Sequence, residues 1–171
     1  IKVPGHIIEI GVASGRNSLL FGSLLKLTGE SNHRQYYGFD TFEGYVEDTI
    51  SDNPWLSIEA WKNEDCKLEN VKKRIKKADL SETCSFFKGD CRKTIPEFLK
   101  SNSHLKISLL HLDVDIYKPT ITALNYFWER LSTNGILIID DYNSVEGATS
   151  AVDDFLSERG IRDNINKTKF Y

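Results

Sequence analysis

Short apolar runs rich in β-branched residues alternate along the chain with stretches whose apolar residues recur three and four apart. The runs predict parallel strands buried on both faces. They are His6-Ile7-Ile8-Glu9-Ile10, Gln35 to Asp40, Cys84 to Lys88, Lys106 to Leu112 and Ile136 to Ile139. A weak alternation over Ile165 to Tyr171 predicts a sixth strand. Between them, Leu19, Leu20, Leu24, Leu25 and Leu27 fall at helical spacing before Gly29. A stripe of Leu68, Val71, Ile75 and Ala78 predicts a helix from Asp65 to Asp79, with acids leading and Lys72 to Lys77 closing it as the helix dipole favours. Its basic run reads as a solvated face. Thr94 caps the next helix, with Pro96 in its first turn. Pro119 sits in the first turn of another, whose inner face is Ile121, Leu124, Phe127, Trp128 and Leu131. Asn134-Gly135 reads as a turn, and a last helix carries Val145, Ala148, Ala151, Val152, Phe155 and Leu156 up to Gly160. Strand and helix in alternation imply an α/β fold, a doubly wound, mostly parallel sheet with right-handed crossovers.

The stretch from Thr41 to about Glu64 breaks this rhythm. It is long, holds Trp55 and Trp61, and reads as a functional loop with a short helix near Ile58 to Trp61. At 171 residues the chain is expected to form a single domain, 1–171, with no linker or repeat. A formal net charge of −3 gives no case for nucleic acid, and no apolar run is long enough for a membrane span. Cys66, Cys84 and Cys91 form no CxxC pair, so buried free thiols in a reducing cytoplasm are expected. The chain has no Met and opens at Ile1, almost inside a strand, which reads as a missing natural N-terminus.

Chemistry concentrates where strands end. In an open α/β sheet, sites lie at the carboxyl ends of the strands. The fourth and fifth strands run into Asp113, Asp115, Asp140 and Asp141. Such a density of like charge calls for a cation. Hard carboxylate oxygens on adjacent strand ends suit Mg²⁺, with an S-adenosylmethionine sulfonium beside it. Asp115 and Asp141 each also read as helix caps. Glu9-x-Gly11-x-x-x-Gly15 lies where a nucleotide-binding turn belongs, and Glu9, inside a strand, suits an α-amino group. Asp40, ending the second strand, suits a ribose diol. Asp90 suits an adenine amino group or, equally, an Asx-turn with Arg92 or Lys93. His111 points to the same face as Asp113 and reads as a hydrogen-bonded core histidine before a base or ligand. Tyr117, Tyr142, Trp55 and Trp61 are candidates to line an acceptor pocket or pack its rim.

Taken in order, five segments resemble the macrocin O-methyltransferase (TylF/MycF-type) family of class I methyltransferases. They are Glu9-Ile-Gly-Val-Ala-Ser-Gly15, Tyr37-Gly-Phe-Asp-Thr-Phe-Glu-Gly44, Lys88-Gly-Asp90 with Thr94-Ile-Pro96, Leu110-His-Leu-Asp-Val-Asp-Ile-Tyr117, and Gly135-Ile-Leu-Ile-Ile-Asp-Asp-Tyr142 followed by Gly147 and Ala151-Val-Asp-Asp-Phe155. The resemblance implies a Rossmann-like, seven-stranded sheet with an antiparallel C-terminal edge. It implies S-adenosylmethionine and Mg²⁺ as cofactors. Asp113 is implied as metal ligand and general base, Asp140 and Asp141 as the other ligands, and Glu9, Gly11, Ser14, Gly15, Asp40, Thr41 and Asp90 as the cofactor's contacts. The implied acceptor is a hydroxyl on a sugar or other small natural product, and a homo-oligomer is left open. The chain departs from the family in lacking its N-terminal helical lid, in stopping near the sixth strand, and in carrying Ala148-Thr149-Ser150 where a basic residue is common. Two rivals stand beside this reading: a cofactor-binding domain without activity, and a NAD-dependent oxidoreductase. The absence of GxGxxG and the acid within the first strand weigh against the second.

Overall fold

The structure is a computed structural model that describes residues 3–46, 56–57 and 59–161. Five strands form one sheet: β1 (His6–Ile10), β2 (Tyr36–Asp40), β3 (Cys84–Lys88), β4 (Ile107–Leu112) and β5 (Leu131–Ile139). Their order is β3-β2-β1-β4-β5, and all four pairings are parallel. Parallel neighbours require crossovers, which α1 (Arg16–Leu27), α2 (Leu68–Lys77), α3 (Cys91–Ser101) and α4 (Tyr117–Phe127) supply, with α5 (Glu146–Glu158) following β5. The expected sixth strand and antiparallel edge fall at residues outside those described, as does Trp55.

Winding reverses between β1 and β4, so the helices divide between two faces and two cores result. On one face, Leu25 of α1 and Val71 and Ile75 of α2 pack with Ile7, Tyr36 and Cys84. On the other, Ile95 and Phe98 of α3, Leu124 and Phe127 of α4 and Phe155 of α5 enclose Ile8, Ile10, Phe39 and Leu110. Among the leucines of α1, Leu25 is buried, while Leu20, Leu24 and Leu27 are exposed, as are Ile136 and Ile138 on β5, the outermost of the described strands on that side.

Several boundaries differ from the sequence reading. The expected helix at Asp65 becomes a single 3₁₀ turn (Glu64–Cys66), capped by the Asn63 side chain, before α2 begins at Leu68. The cap of α3 is Asp90, whose carboxylate accepts from the Arg92 N–H at 2.9 Å, and Thr94 and Pro96 lie inside the helix. A carboxylate one turn earlier outcompetes a hydroxyl for the free N–H groups. Asn134-Gly135 does not precede β5 but sits within it, where the register to β4 jumps and Asn134 takes a left-handed φ of 64°. All three cysteines are free and buried, as expected. No described helix is long and apolar enough to cross a membrane.

The sheet's last rungs set the site. Gly11 N–H donates to Phe39 O, Gly89 N–H to Asp40 O and Asp113 N–H to Ile10 O, each at 2.9 Å, and Asp140 N–H donates to Leu112 O at 3.0 Å. Five strand ends are thereby aligned. Gly11 permits the closest of these approaches. It has a φ of 92°, and a Cβ there would stand 1.7 Å from the Asp113 carbonyl oxygen. Gly11→Ala is expected to cost about 2 kcal/mol or more, from overpacking and left-handed strain together. Urea denaturation reads this as a lowered midpoint at unchanged slope.

Candidate active site

The strand ends open into a cavity of about 740 Å³, counting its mouth. Of the residues singled out in the sequence, Gly11, Asp40, Thr41, Asp90 and Asp113 line it. Apolar surface from Ile10, Phe39 and Val114 lines it too.

Each lining acid has its own environment. Asp40 builds the turn after β1: its Oδ2 accepts from Val12 N–H at 2.7 Å and Ala13 N–H at 2.9 Å, and its Oδ1 from Phe42 N–H at 2.6 Å. Thr41 braces the next turn, its hydroxyl donating to Gly44 O at 2.5 Å and accepting from Glu43 N–H. Asp90 is gripped by the Arg92 guanidinium, with Nη2 at 2.6 Å and Nε at 2.9 Å from Oδ2. Burial opposes its charge, but the Arg92 hydrogen bonds outweigh that and hold its carboxyl below the usual range. The Asx-type cap anticipated for Asp90 is therefore present, and the same residue faces the cavity.

Glu9, Ser14 and Gly15 stand behind the lining. Glu9 is completely buried. Its carboxylate accepts the Tyr36 hydroxyl, which accepts in turn from Ser18 at 2.8 Å, and its Oε1 lies 3.0 Å from His111 Nδ1. Burial opposes a charged imidazole, but the hydrogen bond and charge of Glu9, with Asp113 and Asp140 beyond, hold the His111 pKa above its ordinary value. His111 is thus a hydrogen-bonded core histidine. The Ser14 carbonyl accepts from Arg74 Nη2 at 3.0 Å, so one member of the basic run on α2 reaches back to hold the turn. Gly15 is the N-cap of α1 in a left-handed conformation, seated against Val71.

Asp113, Asp140 and Asp141 each offer an oxygen within 4.8 Å of the others. Asp140 is exposed and the other two are partly buried. Burial and then the charge of Asp140 push Asp113 up to about 6. Burial and then Asp115 and Asp113 push Asp141 up to about 7. An acid set that resists ionising together is what a divalent cation would relieve, and the donors are the hard oxygens that Mg²⁺ takes. The residues present fit such an ion.

Sequence reasoning missed Tyr45 and read Asp115 as a helix cap. Tyr45 lines the cavity, and its hydroxyl donates to Asp115 while accepting from Trp61 Nε1 at 3.2 Å. No sequence signal joins residues 70 apart. Tyr117 and Tyr142, by contrast, turn onto α5, donating to Asp154 at 2.9 Å and Asp153 at 2.8 Å.

A doubly wound parallel sheet with a cavity and three clustered carboxylates at its switch point defines a Rossmann-like α/β protein of the methyltransferase type. The chain belongs to the macrocin-O-methyltransferase (TylF) family, whose profile matches residues 1–170. It is 29% identical over 171 residues to the 8-demethyl-8-(2,3-dimethoxy-alpha-L-rhamnosyl)-tetracenomycin-C 4'-O-methyltransferase of Streptomyces olivaceus, covering 96% of this chain and 63% of that protein. It is 26% identical over 170 residues to the mycinamicin III 3''-O-methyltransferase of Micromonospora griseorubida, covering 95% and 65%. The chain thus spans less than two thirds of the length of these relatives. Among solved structures, the calicheamicin methyltransferase CalS11 matches with a TM-score of 0.75 at 25% identity, over 90% of this chain and 65% of that one. The O-methyltransferase NovP shares the fold with a TM-score of 0.81 at 24% identity, over 95% and 67%.

The raised carboxyls set a pH dependence. An acid whose pKa is higher in the folded than in the unfolded chain contributes stability that is complete below its unfolded value, near 4, and lost as pH rises through its folded value. For Asp113 and Asp141 that loss runs up to about pH 6 and 7. In EDTA, Asp141→Asn should therefore melt several degrees above the wild type at pH 7.5 and close to it at pH 4.5. Mg²⁺ should raise the wild-type Tm at pH 7.5 and not at pH 4.5. Scanning fluorimetry across that range checks both.

Proposed function

We propose that this protein is an S-adenosylmethionine- and Mg²⁺-dependent O-methyltransferase, with the described fold as its catalytic domain, acting on a hydroxyl of a sugar or other small natural-product acceptor. The observation that carries the proposal is the convergence of Asp113, Asp140 and Asp141 beside a cavity walled by Gly11 and Asp40. Family membership supports the reaction type, and the names of the relatives, which include a rhamnosyl 4'-O-methyltransferase and a 3''-O-methyltransferase, support the acceptor class.

S-adenosylmethionine supplies an electrophilic methyl group, and Mg²⁺ supplies a Lewis acid that acidifies and orients a hydroxyl. The chain's residues do the rest. Asp113, Asp140 and Asp141 hold the ion. Asp113, the one of the three that lines the cavity, takes the acceptor hydroxyl's proton at a carboxylate oxygen. Gly11, Ser14 and Gly15 shape the turn that receives the cofactor, and Glu9 supports that turn from the core. Asp40 and Thr41 face the ribose end, and Asp90 faces the adenine end. The apolar side chains around them keep water from the transfer. Because the acids are coupled, the pH dependence of activity belongs to the cluster and not to one residue.

Three measurements test this. Calorimetry should detect S-adenosylhomocysteine and not NAD. Radiolabelled methyl transfer to a panel of rhamnosides and nucleotide sugars should be abolished by EDTA and by Asp140→Ala. Asp113→Asn should lower the rate by about 10²- to 10⁴-fold, the usual contribution of a positioned base. Transfer undiminished in EDTA would remove the metal from the mechanism.

A further inference from the structure

The turn between β1 and α1 is held from outside. Gly11, Ala13 and Gly15 have φ of 92°, 45° and 77°, all left-handed, and Ala13 adopts that conformation at a cost. The N–H side of the turn is held from β2, where Asp40 Oδ2 accepts from Val12 and Ala13. The carbonyl side is held from α2. Arg74 Nη2 donates to Ser14 O at 3.0 Å and also to Asp65 O, in the 3₁₀ turn that precedes α2. Arg74 Nη1 lies 3.4 Å from Asp65 Oδ1. That carboxylate is exposed, so the ion pair is screened and the two carbonyl contacts carry the tie. One turn earlier on α2, Val71 packs against Gly15, where a Cβ would stand 2.8 Å from Val71 Cγ1.

We propose that Arg74 is a positioning residue for the cofactor, acting through the Ser14 carbonyl. This rests on the cofactor reading above. The peptide joining Ser14 to Gly15 is planar, so fixing its carbonyl also fixes the Gly15 N–H on its opposite side. That N–H donates to Val12 O at 2.9 Å and closes the turn. Gly15 tolerates either sign of φ, so the peptide is free to flip once nothing outside holds it. A flip breaks the closing bond and displaces the start of α1, which no side chain caps. Holding the turn beforehand lowers the ordering cost that the cofactor would otherwise meet on binding. The planar fork of an arginine suits this task, because one nitrogen can take the two carbonyls while the other faces Asp65. Arg74 is not among the residues that line the cavity, so it acts on the cofactor without touching it.

Calorimetric titration of the full chain with S-adenosylhomocysteine tests the proposal. Arg74→Met keeps an unbranched apolar stem and removes the guanidinium. It should weaken binding by about tenfold, the scale of one charge-assisted hydrogen bond, at full stoichiometry. Lys72→Met removes the same charge from the exposed face of the same helix and should stay within about twofold of the wild type. Arg74→Lys keeps the charge and loses the fork. It should weaken binding by about threefold or more, and it carries the test if Arg74→Met does not fold. Unchanged affinity in the Arg74 variants would overturn the proposal while leaving the cofactor reading intact. Equal losses in Lys72→Met and Arg74→Met would overturn it too, by assigning the effect to the charge of α2. So would a lowered stoichiometry at unchanged affinity, which reports lost folding instead of a misplaced turn. No binding by the wild type would overturn the cofactor reading and this proposal with it.

Discussion

A fully buried carboxylate in the central strand has to be satisfied, or the sheet could not close around it. Glu9 meets this requirement sideways. Tyr36 reaches it from β2 and His111 from β4, so the three innermost strands are joined by side chains as well as by their ladders. Gly38 makes the link possible: a Cβ there would come within 2.9 Å of the Tyr36 hydroxyl. Everything at the carboxyl edge stands on this base. The turn after β1 begins two residues beyond Glu9, and Asp113 begins two residues beyond His111.

Above that base, the protein concentrates what its core excludes. A core rewards satisfied polar groups, whereas the edge gathers Asp113, Asp115, Asp140 and Asp141. The two halves of the edge differ in how they treat an acid. Asp40 and Asp90 are saturated by main-chain donors and by Arg92, and they act as fixed parts of the wall. Asp113 and Asp141 are held back from ionising by burial and by the charges beside them. Local conflict of that kind is expected where a fold gives up stability for a binding site.

Most of this edge was legible in the sequence because each acid follows a strong local signal, an apolar run that stops abruptly. The strands, the winding of the sheet and the grouping of Asp113, Asp140 and Asp141 came from that pattern. The misreadings have a common physical origin, in which a contact distant in sequence or a stronger competitor overrode a local preference. Thr94 is a good cap in isolation, but Asp90 stands ahead of it. Asn134-Gly135 is a good turn, but pairing with β4 carries the strand through it. The charges on α2 fit a solvated face, yet Arg74 is spent on the Ser14 carbonyl. Tyr45 and Asp115 meet only because β2 and β4 flank β1, and no period or motif records that meeting.

The last rungs of the sheet are bonds between main-chain atoms, from Gly11 to Phe39, from Asp113 to Ile10 and from Asp140 to Leu112. They are indifferent to most side chains. The spacing of the edge is therefore inherited with the backbone, while the two cores beneath it are free to drift in composition. A lineage built this way can exchange the bulk of its sequence and keep the spacing of this edge.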